Sequence, residues 1–267
     1  MNSAHASIAY FYNQMSKPYT LKKSLGQHFL HDENMCQKIV QQLDYTSGKQ
    51  LVEIGPGGGA LSKYLIALPE IEYKAIEIDE EKYHYLEQTY PAIRGKIILQ
   101  DILQASIPYE GQFSVIGNFP YNISSPIMFK MLDWEPQVQE VIGMFQKEVA
   151  ERIAAGPGTK MYGILSVLTQ AYFDVRYLFD VPPSCFTPPP KVMSGVLRFT
   201  NIHNPHQIES FKKFKMLVKA AFGQRRKTLR NALRSYVPVA ALSDPLMDKR
   251  AEQLSVADFV YLYRSYL

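Results

Sequence analysis

The amino-acid sequence predicts an α/β fold, in which a doubly wound, mostly parallel sheet is followed by a small all-helical C-terminal domain. From residue 50 to residue 155, apolar runs typical of strands alternate with amphipathic stretches typical of helices. Asn201 to Pro205 is polar and has the composition of a linker. Beyond it, Phe211, Phe214 and Val218 recur at helical spacing, so we expect helices there.

The alternating part of the sequence divides into five strands and four helices. Strands are predicted at 50–54, 72–77, 96–100, 113–117 and 138–144, and helices near 59–68, 80–89, 125–133 and 147–155. Asp32 is expected to cap an earlier helix of about 33–44. Further along the chain we expect a helix at 162–170 and strands at 172–180 and 192–199. Five of the nine residues from Pro182 to Pro190 are proline, which predicts a stiff loop between those strands.

A length of 267 residues suits one large domain and a smaller one. We predict a loose leader at 1–19, a first domain at 20–202 and a helical domain at 203–267. Only Cys36 and Cys185 occur, so neither a disulfide framework nor a cysteine metal site is expected. No apolar run approaches the roughly 20 residues that cross a membrane. We therefore expect a cytoplasmic protein.

The net charge of +4 is unevenly distributed. Nine Lys or Arg and no Asp or Glu lie between Ser210 and Ser243, and removing that block leaves −5 for the rest of the chain. Such a block is typical of a surface that binds a polyanion, although a solvated charged surface is the alternative. Arg226, Arg230 and Arg234 recur every four residues, which predicts one cationic helix face. Lys219 and Arg225 are further candidates for phosphate contact.

Asn118-Phe119-Pro120-Tyr121 follows the apolar run 113–116. An Asn-x-Pro-Tyr loop at a strand end suits an enzyme that modifies the exocyclic amine of a base. The lone pair of adenine N6 is delocalised into the ring, and an Asn carbonyl with the next backbone carbonyl can accept both N–H hydrogens and draw it out of conjugation. Pro120 fixes the backbone, and Tyr121 offers a ring on which an extruded base can stack. The alternative is an ordinary turn after a strand.

The segment Glu53 to Leu61 fits G-x-G-x-x-A, a fingerprint of nucleotide binding between a strand and a helix. Pro56 argues against a pyrophosphate ligand, because a phosphate nest needs successive backbone N–H donors and proline has none. S-adenosylmethionine has no phosphate. Gly55 and Gly57 allow the close backbone approach that its nucleoside and sulfonium groups need.

Acidic residues end the next two predicted strands. Glu77 lies 22 residues after Gly55, where an acid usually accepts both ribose hydroxyls. Asp79 is the alternative, although its position favours capping the following helix. Asp101 is expected to accept from the cofactor's adenine amino group. Gln27, His28 and Leu30 are interpreted as a flap over the methionine part, and no metal is expected at His28 and His31 because no second ligand pair exists.

These motifs together resemble the small-subunit rRNA adenine N6-dimethyltransferases, from about residue 20 to the C-terminus. The resemblance implies a Rossmann-like class I methyltransferase that transfers two methyl groups from S-adenosylmethionine to each of two adjacent adenosines. The adenosines lie near the 3′ end of small-subunit rRNA in an assembling subunit, and the enzyme is expected to be a monomer. The motifs are Gly26–Leu30, Glu53–Gly57, Ala75–Asp79, Gln100–Asp101, Gly117–Ser124 and Phe186–Val192.

The resemblance also implies roles for individual residues. Position 119 is often Leu in that family and is Phe here, which leaves its side-chain packing open while its carbonyl keeps its role. Phe186 would be a second stacking surface for the base, with a plain core aromatic as the alternative. Asn118, Pro120 and Tyr121 would hold the target adenine. Cofactor contacts are implied for His28, Leu30, Gly55, Glu77, Asp101 and Asn118.

Several rival functions stay open at this point. Large-subunit rRNA adenine methyltransferases of the macrolide-resistance type share the Phe-x-Pro-x-Pro-x-Val loop, although Gln224 to Asn231 looks more like the small-subunit branch. A DNA adenine methyltransferase would usually need a larger recognition domain. A NAD-dependent enzyme is opposed by Pro56 and by the lack of a hydride-site motif. A non-catalytic ribosome assembly factor with a vestigial cofactor site is the remaining alternative.

Overall fold

The computed structural model describes residues 28–44 and 50–267. The predicted leader at 1–19, the start of the 20–202 domain, and Gly26 and Gln27 of the predicted flap lie outside the described residues. None of the helices described is long and apolar enough to cross a bilayer.

Nine strands form two sheets in the described residues. The large sheet contains β2 (Gln50–Ile54), β3 (Glu72–Glu77), β4 (Ile97–Leu99), β5 (Phe113–Asn118), β6 (Val138–Gln146), β7 (Phe173–Val181) and β9 (Ser194–Asn201). The small sheet pairs β1 (Phe29–Leu30) with β8 (Phe186–Thr187). The five strands predicted between residues 50 and 144, and the two predicted after them, are all confirmed.

The large sheet has the order β4-β3-β2-β5-β6-β9-β7. The first five of these strands are parallel, and β9 is antiparallel to both β6 and β7. The chain builds outward from β2 to β4 and then returns to place β5 on the other side of β2. This reversal confirms the doubly wound fold, and it opens a crevice at the carboxyl ends of β2 and β5, where such sheets bind ligands.

Apolar side chains cover both faces of the large sheet. Val115 and Val141 belong to one fully buried cluster, and their neighbours Ile116 and Ile142 belong to the other. This alternation explains why the strands are near-continuous apolar runs, since a parallel sheet is buried on both sides.

The helices before residue 171 are α1 (Glu33–Val40), α2 (Ser62–Leu65), α3 (Glu80–Thr89), α4 (Ser124–Asp133), α5 (Lys147–Ala154) and α6 (Ile164–Gln170). Asp32 caps α1, because its carboxylate accepts the Met35 N–H at 2.9 Å. Asp79 caps α3 by accepting from the Glu81 N–H at 3.2 Å. Both capping predictions are confirmed.

Two helices are shorter than predicted. The helix expected at 59–68 is α-helical only at Ser62–Leu65, because Gly55, Gly57 and Gly59 have positive φ and hold the preceding chain in turns. The helix expected at 33–44 ends at Val40 and continues as a turn toward Asp44.

The part of the chain after Asn201 is helical, as predicted. It contains α7 (Phe211–Gly223), α8 (Leu229–Ala232), α9 (Val256–Tyr266) and short 3-10 turns at Val239–Ser243, Pro245–Asp248 and Ala251–Gln253. Phe214 and Leu217 of α7 are fully buried in the same apolar cluster as Val115 of the sheet. The C-terminal helices and the sheet therefore share one core.

The predicted cationic helix face is wrong. It required one helix through Arg226, Arg230 and Arg234, but α8 contains only Leu229–Ala232. Arg226 precedes this helix in a turn and Arg234 follows it. The spacing of four therefore does not place the three guanidinium groups on a common helical surface.

Candidate active site

A cavity of about 210 Å³ lies at the carboxyl edge of the sheet, in the crevice between β2 and β5. Its walls come from the loops after β2, β3, β4 and β5 and from the chain around β1. The predicted cofactor and base residues that line it are His28, Leu30, Gly55, Gly57, Glu77, Asp101, Asn118, Phe119, Pro120 and Tyr121. The fold therefore brings together residues that are far apart in sequence.

The glycine loop, residues 55–59 after β2, approaches the cavity with its backbone. Gly55 and Gly57 have φ of +67° and +57°, a region that favours glycine. A Cβ on Gly57 would lie 2.9 Å from Cε1 of Phe29. A side chain at position 57 would therefore be strained and would displace the Phe29 ring.

The Glu77 carboxylate organises the far wall of the cavity. One oxygen accepts the N–H groups of Ile78 and Asp79, each at 2.9 Å, and the other accepts the Gly57 N–H at 3.1 Å. Burial raises the pKa of Glu77, and the bonds from Asp79 and Gly57 oppose that rise. Glu77 therefore ties the glycine loop to the end of β3.

Asp101 is half-buried after β4 and lines the same cavity. Its carboxylate accepts the Leu103 N–H at 2.9 Å, which fixes its orientation. Two apolar residues that the sequence analysis did not single out, Ile78 directly after Glu77 and Ile102 directly after Asp101, also line the cavity. Ile78 is 53% exposed, although it is a large apolar residue, and it offers an apolar contact for a base. The sequence contained one indication of this role, because Ile78 lies between Glu77 and Asp79 directly after β3.

Glu53 is a third carboxyl in the cavity wall that the sequence did not single out as a ligand. It is 2% exposed and accepts hydrogen bonds from Ser62 Oγ at 2.6 Å and Tyr73 Oη at 2.5 Å. Burial raises its pKa to about 7, while the two hydroxyl donors oppose that rise. Glu53 thereby joins the end of β2 to α2 and β3.

Asn118 ends β5 and is held by the chain around β1. Its Nδ2 donates to the His28 carbonyl at 2.9 Å. The amide of Asn118 therefore uses its donor end for positioning, which leaves its carbonyl oxygen as an acceptor.

Tyr121 is held at two points. Its hydroxyl hydrogen-bonds Ser194 Oγ at 2.5 Å, and its ring stacks on His28 with centroids 5.3 Å apart and planes 29° apart. Burial raises the pKa of Tyr121, so the phenol is neutral. Ser194 is fully buried at the start of β9, 73 residues away in sequence. Nothing in the sequence indicates this contact, because it depends on the antiparallel placement of β9 beside β6.

The side chain of Phe119 points into the core. It is fully buried and contacts Phe145 edge-on, with centroids 5.3 Å apart. A Cβ on Gly117 or Gly143 would lie 2.7 Å or 2.6 Å from its ring, so these two glycines make room for Phe in place of Leu. Only the backbone of Phe119 is available to a substrate.

The structure does not place Phe186, the predicted second stacking surface, in the cavity, and its burial favours the alternative of a core aromatic residue. Phe186 is 2% exposed, packs in the apolar cluster beside Leu30 and does not line the cavity. Its strand pairs with β1, with Leu30 opposite Phe186 and Phe29 opposite Thr187. The proline-rich loop thus supports the chain around His28, whose Nδ1 also lies 2.8 Å from the Pro188 carbonyl oxygen.

Two of the predicted phosphate ligands have protein partners. Arg225 donates to the Lys160 carbonyl at 2.6 Å and lies 3.5 Å from Glu252. Arg230 lies 2.6 Å from Asp248 and donates to the Leu242 carbonyl at 2.6 Å. Acids from beyond residue 243 therefore lie beside two of the nine cations of the basic block.

Lys219 and Arg226 are exposed, and neither has a hydrogen-bond or ion-pair partner in the part of the chain that the structure describes. The cationic surface available to a polyanion is thus narrower than the nine charges suggested.

The cavity fits S-adenosylmethionine better than a dinucleotide. Glu77 and Asp101 line it, and no Lys or Arg does so among the described residues. Carboxylates favour a cation such as a sulfonium or an ammonium group and oppose a pyrophosphate. The Gly57 N–H points at Glu77 and Pro56 has none, so the glycine loop provides no anion nest. No group of three or more His, Cys, Asp or Glu suited to a metal occurs within residues 28–44 and 50–267.

Known proteins resemble this chain over most of its length. A protein-family model described as ribosomal RNA adenine dimethylase matches residues 19–266. Ribosomal RNA small subunit methyltransferase A of Cytophaga hutchinsonii is 50% identical over 242 residues, which cover 89% of this chain and 94% of the relative. The protein of the same name from Parabacteroides distasonis is 49% identical over 247 residues, which cover 90% and 92%.

Solved structures show the same fold. A dimethyladenosine transferase from Plasmodium falciparum superposes with a TM-score of 0.75 at 25% identity, covering 88% of this chain and 96% of that one. The 23S rRNA methyltransferase ErmE superposes with a TM-score of 0.66 at 22% identity, covering 88% and 99%. The family model matches nearly the whole chain, and one relative is 50% identical to it. This chain therefore belongs to the ribosomal RNA adenine dimethylase family.

Proposed function

We propose that this protein transfers methyl groups from S-adenosylmethionine to N6 of two adjacent adenosines near the 3′ end of small-subunit rRNA. The products are N6,N6-dimethyladenosines, and the substrate is an assembling small subunit in the cytoplasm that the protein binds as a monomer. The observation that carries the proposal is the shared cavity. Asn118, Pro120 and Tyr121 line the same space as the glycine loop and Glu77, so a base and a cofactor can meet there.

His28, Leu30, Gly55, Gly57, Glu77 and Asp101 would hold the cofactor. When bound, S-adenosylmethionine supplies an electrophilic methyl group on a sulfonium. Glu77 would accept hydrogen bonds from the ribose hydroxyls, and Asp101 would accept a hydrogen bond from the adenine amino group. Ile78 and Ile102 would contact the faces of that adenine.

Asn118 and Phe119 would activate the target amine. The Asn118 carbonyl oxygen and the Phe119 carbonyl oxygen would each accept a hydrogen bond from an N–H of the N6 amine. These bonds would reduce the delocalisation of the N6 lone pair into the adenine ring. His28 holds the other end of the Asn118 amide, so the acceptor is oriented before the base arrives. Tyr121 would stack on the base, held in place by Ser194.

Methyl transfer is expected to be direct, without a covalent enzyme intermediate. The described residues that line the cavity include no Ser, Thr, Cys or Lys. A strong base is not required, because N6 becomes acidic once it gains the methyl. The rate would therefore come from positioning and from the exclusion of water.

The relatives' names support small-subunit rRNA as the substrate. Two relatives at 50% and 49% identity carry the name of a small-subunit methyltransferase, whereas ErmE is 22% identical. Lys219 and Arg226, which have no ion-pair partner among the described residues, supply a surface for rRNA phosphates.

The decisive experiment incubates the protein with small subunits that lack methylation and with methyl-labelled S-adenosylmethionine, and then maps the label. We expect N6,N6-dimethyladenosine at two neighbouring positions near the 3′ end. Label in large-subunit rRNA alone would favour the macrolide-resistance type. Cofactor binding without any transfer to either subunit would favour an assembly factor.

A further inference from the structure

A second concave surface of the protein lies on the C-terminal helices, apart from the cavity described above. It is a groove of about 500 Å³ between α7 and the segment after α8. Lys212, Lys215 and Lys219 of α7 form one wall, and Ala232 and Tyr236 contribute to the other. The lysines are three and four residues apart, so they lie on one face of the helix.

The lysines of the groove provide unneutralised positive charge. Lys212 and Lys219 are exposed and have no hydrogen-bond or ion-pair partner in the residues that the structure describes. Lys215 lies over the ring of Phe129 in α4, 4.3 Å from its centroid. No described residue that lines the groove is acidic. Arg225 and Arg230, in contrast, lie beside Glu252 and Asp248.

The groove also exposes apolar side chains beside these charges. Tyr236 is 46% exposed and Met216 is 42% exposed. Three residues with small or no side chains, Ala220, Gly223 and Ala232, contribute to the lining of the groove. A Cβ on Gly223 would have no atom within 4 Å, so this part is open. The groove therefore has open space at Gly223 and an exposed tyrosine ring in its lining.

An exposed aromatic ring beside free lysines suits single-stranded nucleic acid. Bases stack on such rings, and lysines contact the adjoining phosphates. A paired base cannot present its face in this way, so the combination favours an unpaired nucleotide over a duplex. An acidic polypeptide would use the lysines but has no need of the exposed ring.

We propose that the groove between α7 and Tyr236 binds an unpaired nucleotide of the rRNA, whose base stacks on Tyr236 and whose flanking phosphates contact Lys212 and Lys219. This inference rests on the proposed function and adds a recognition site outside the catalytic cavity. The groove and the cavity share no lining residue, so the site would contact an unpaired nucleotide other than the adenosine that is methylated.

The test measures binding of the full chain to a short fluorescein-labelled oligouridylate and to a duplex hairpin by fluorescence anisotropy. Uridine is chosen so that the adenine site does not contribute. Tyr236→Ala should weaken oligouridylate binding by about 5- to 150-fold, as expected for loss of one stacked base. Tyr236→Phe should bind as the unaltered protein does, and hairpin binding should not change.

The charges are tested with the double variant Lys212→Gln and Lys219→Gln. Loss of two phosphate contacts should flatten the log-log salt dependence of oligouridylate binding by about 1.4. A matched control, Lys96→Gln with Lys160→Gln, removes two exposed lysines elsewhere and should leave the slope unchanged.

Three results would overturn the proposal. These are unchanged oligouridylate binding by Tyr236→Ala, an equal loss for the hairpin, and displacement of the oligouridylate by polyglutamate as effectively as by unlabelled RNA. Methyl transfer to unmethylated small subunits is measured in parallel with the unaltered protein. If that transfer occurs while Tyr236→Ala binds normally, only the groove assignment fails. If no transfer occurs, the proposed function fails, whatever the oligouridylate does.

Discussion

The cavity at the carboxyl edge of the sheet is lined by acidic residues, whereas the groove on α7 is lined by lysines. The two sites also differ in how many hydrogen bonds hold their polar side chains. Glu53, Glu77 and Asn118 each have hydrogen bonds that fix their orientation. Lys212 and Lys219 have no such partner in the described part of the chain. Group transfer needs atoms that are placed before the substrate arrives, whereas a phosphate contact needs only a nearby charge. Substitutions in the cavity should therefore change rates steeply, and those on the cationic surface should change affinity gradually.

The largest effect is expected for Asn118→Ala. Loss of the acceptor for N6 should lower kcat by about 100-fold or more, with a smaller effect on cofactor affinity. Methyl transfer to unmethylated small subunits and titration with S-adenosylmethionine measure the two effects separately. Asn231→Ala, on the surface of α8, is the matched control and should retain activity. A variant that loses only cofactor binding would contradict the role of Asn118 in activating the base.

Glu53→Gln tests whether the cavity wall holds a carboxyl that is costly to ionise. The pKa of Glu53 is about 7 in the folded protein, above the unfolded value of about 4.5. The folded state therefore keeps a proton that the unfolded state loses, and stability falls as pH rises from 4.5 to 7. Between those limits the unfolding free energy of the unaltered protein should fall by up to about 3 kcal/mol relative to Glu53→Gln.

Denaturant unfolding of both proteins at about pH 5 and about pH 8 measures this difference. Parallel changes in the two proteins would show that Glu53 ionises normally. Glu209→Gln, at an exposed carboxyl ahead of α7, is a suitable control and should follow the unaltered protein.

Tyr121 should separate ring stacking from hydrogen bonding. Tyr121→Ala removes the stacking surface and should lower kcat/KM by about 5- to 150-fold. Tyr121→Phe keeps the ring but loses the bond to Ser194, so a loss of about 2- to 13-fold is expected. Ser194→Ala should resemble Tyr121→Phe, because it removes the same bond. Equal losses for the Ala and Phe variants would show that the ring face is not what the base contacts.

The smallest effects should come from single arginines of the basic block. Arg226→Gln removes a charge that has no ion-pair partner within residues 28–44 and 50–267, and it should flatten the log-log salt dependence of rRNA binding by about one unit. Arg230→Gln should change that slope less, because Arg230 already lies beside Asp248, and the loss of this exposed ion pair should cost at most about 1 kcal/mol of stability. Equal slopes for the two variants would show that rRNA displaces the ion pair.

The residues of the cavity could be predicted because they occupy strand ends. Glu77 and Asn118 end β3 and β5, Asp101 lies just after β4, and parallel strands bring their carboxyl ends to one edge. Local order along the chain was therefore enough to place them together. Ser194 could not be found in this way, since its contact with Tyr121 depends on an antiparallel strand far along the sequence.

The cationic region shows why charges are harder to place from sequence. Arg226, Arg230 and Arg234 have helical spacing, but α8 is only four residues long. Glu252 and Asp248 then reach two arginines of the block from outside it. The burial of Phe186 was equally hard to predict, because its ring is covered where its strand pairs with Leu30 in a distant part of the sequence. Spacing predicts neighbours within one element but not partners from another.

The central claim is that one cavity holds the cofactor and orients N6 of an adenine through Asn118. A structure of the protein with S-adenosylhomocysteine and an adenosine-containing RNA tests it most directly. The account predicts that the Asn118 side-chain oxygen and the Phe119 carbonyl both lie about 2.7–3.2 Å from N6, with the glycine loop against the cofactor. An adenine bound elsewhere, or an Asn118 oxygen turned away from the cavity, would contradict it.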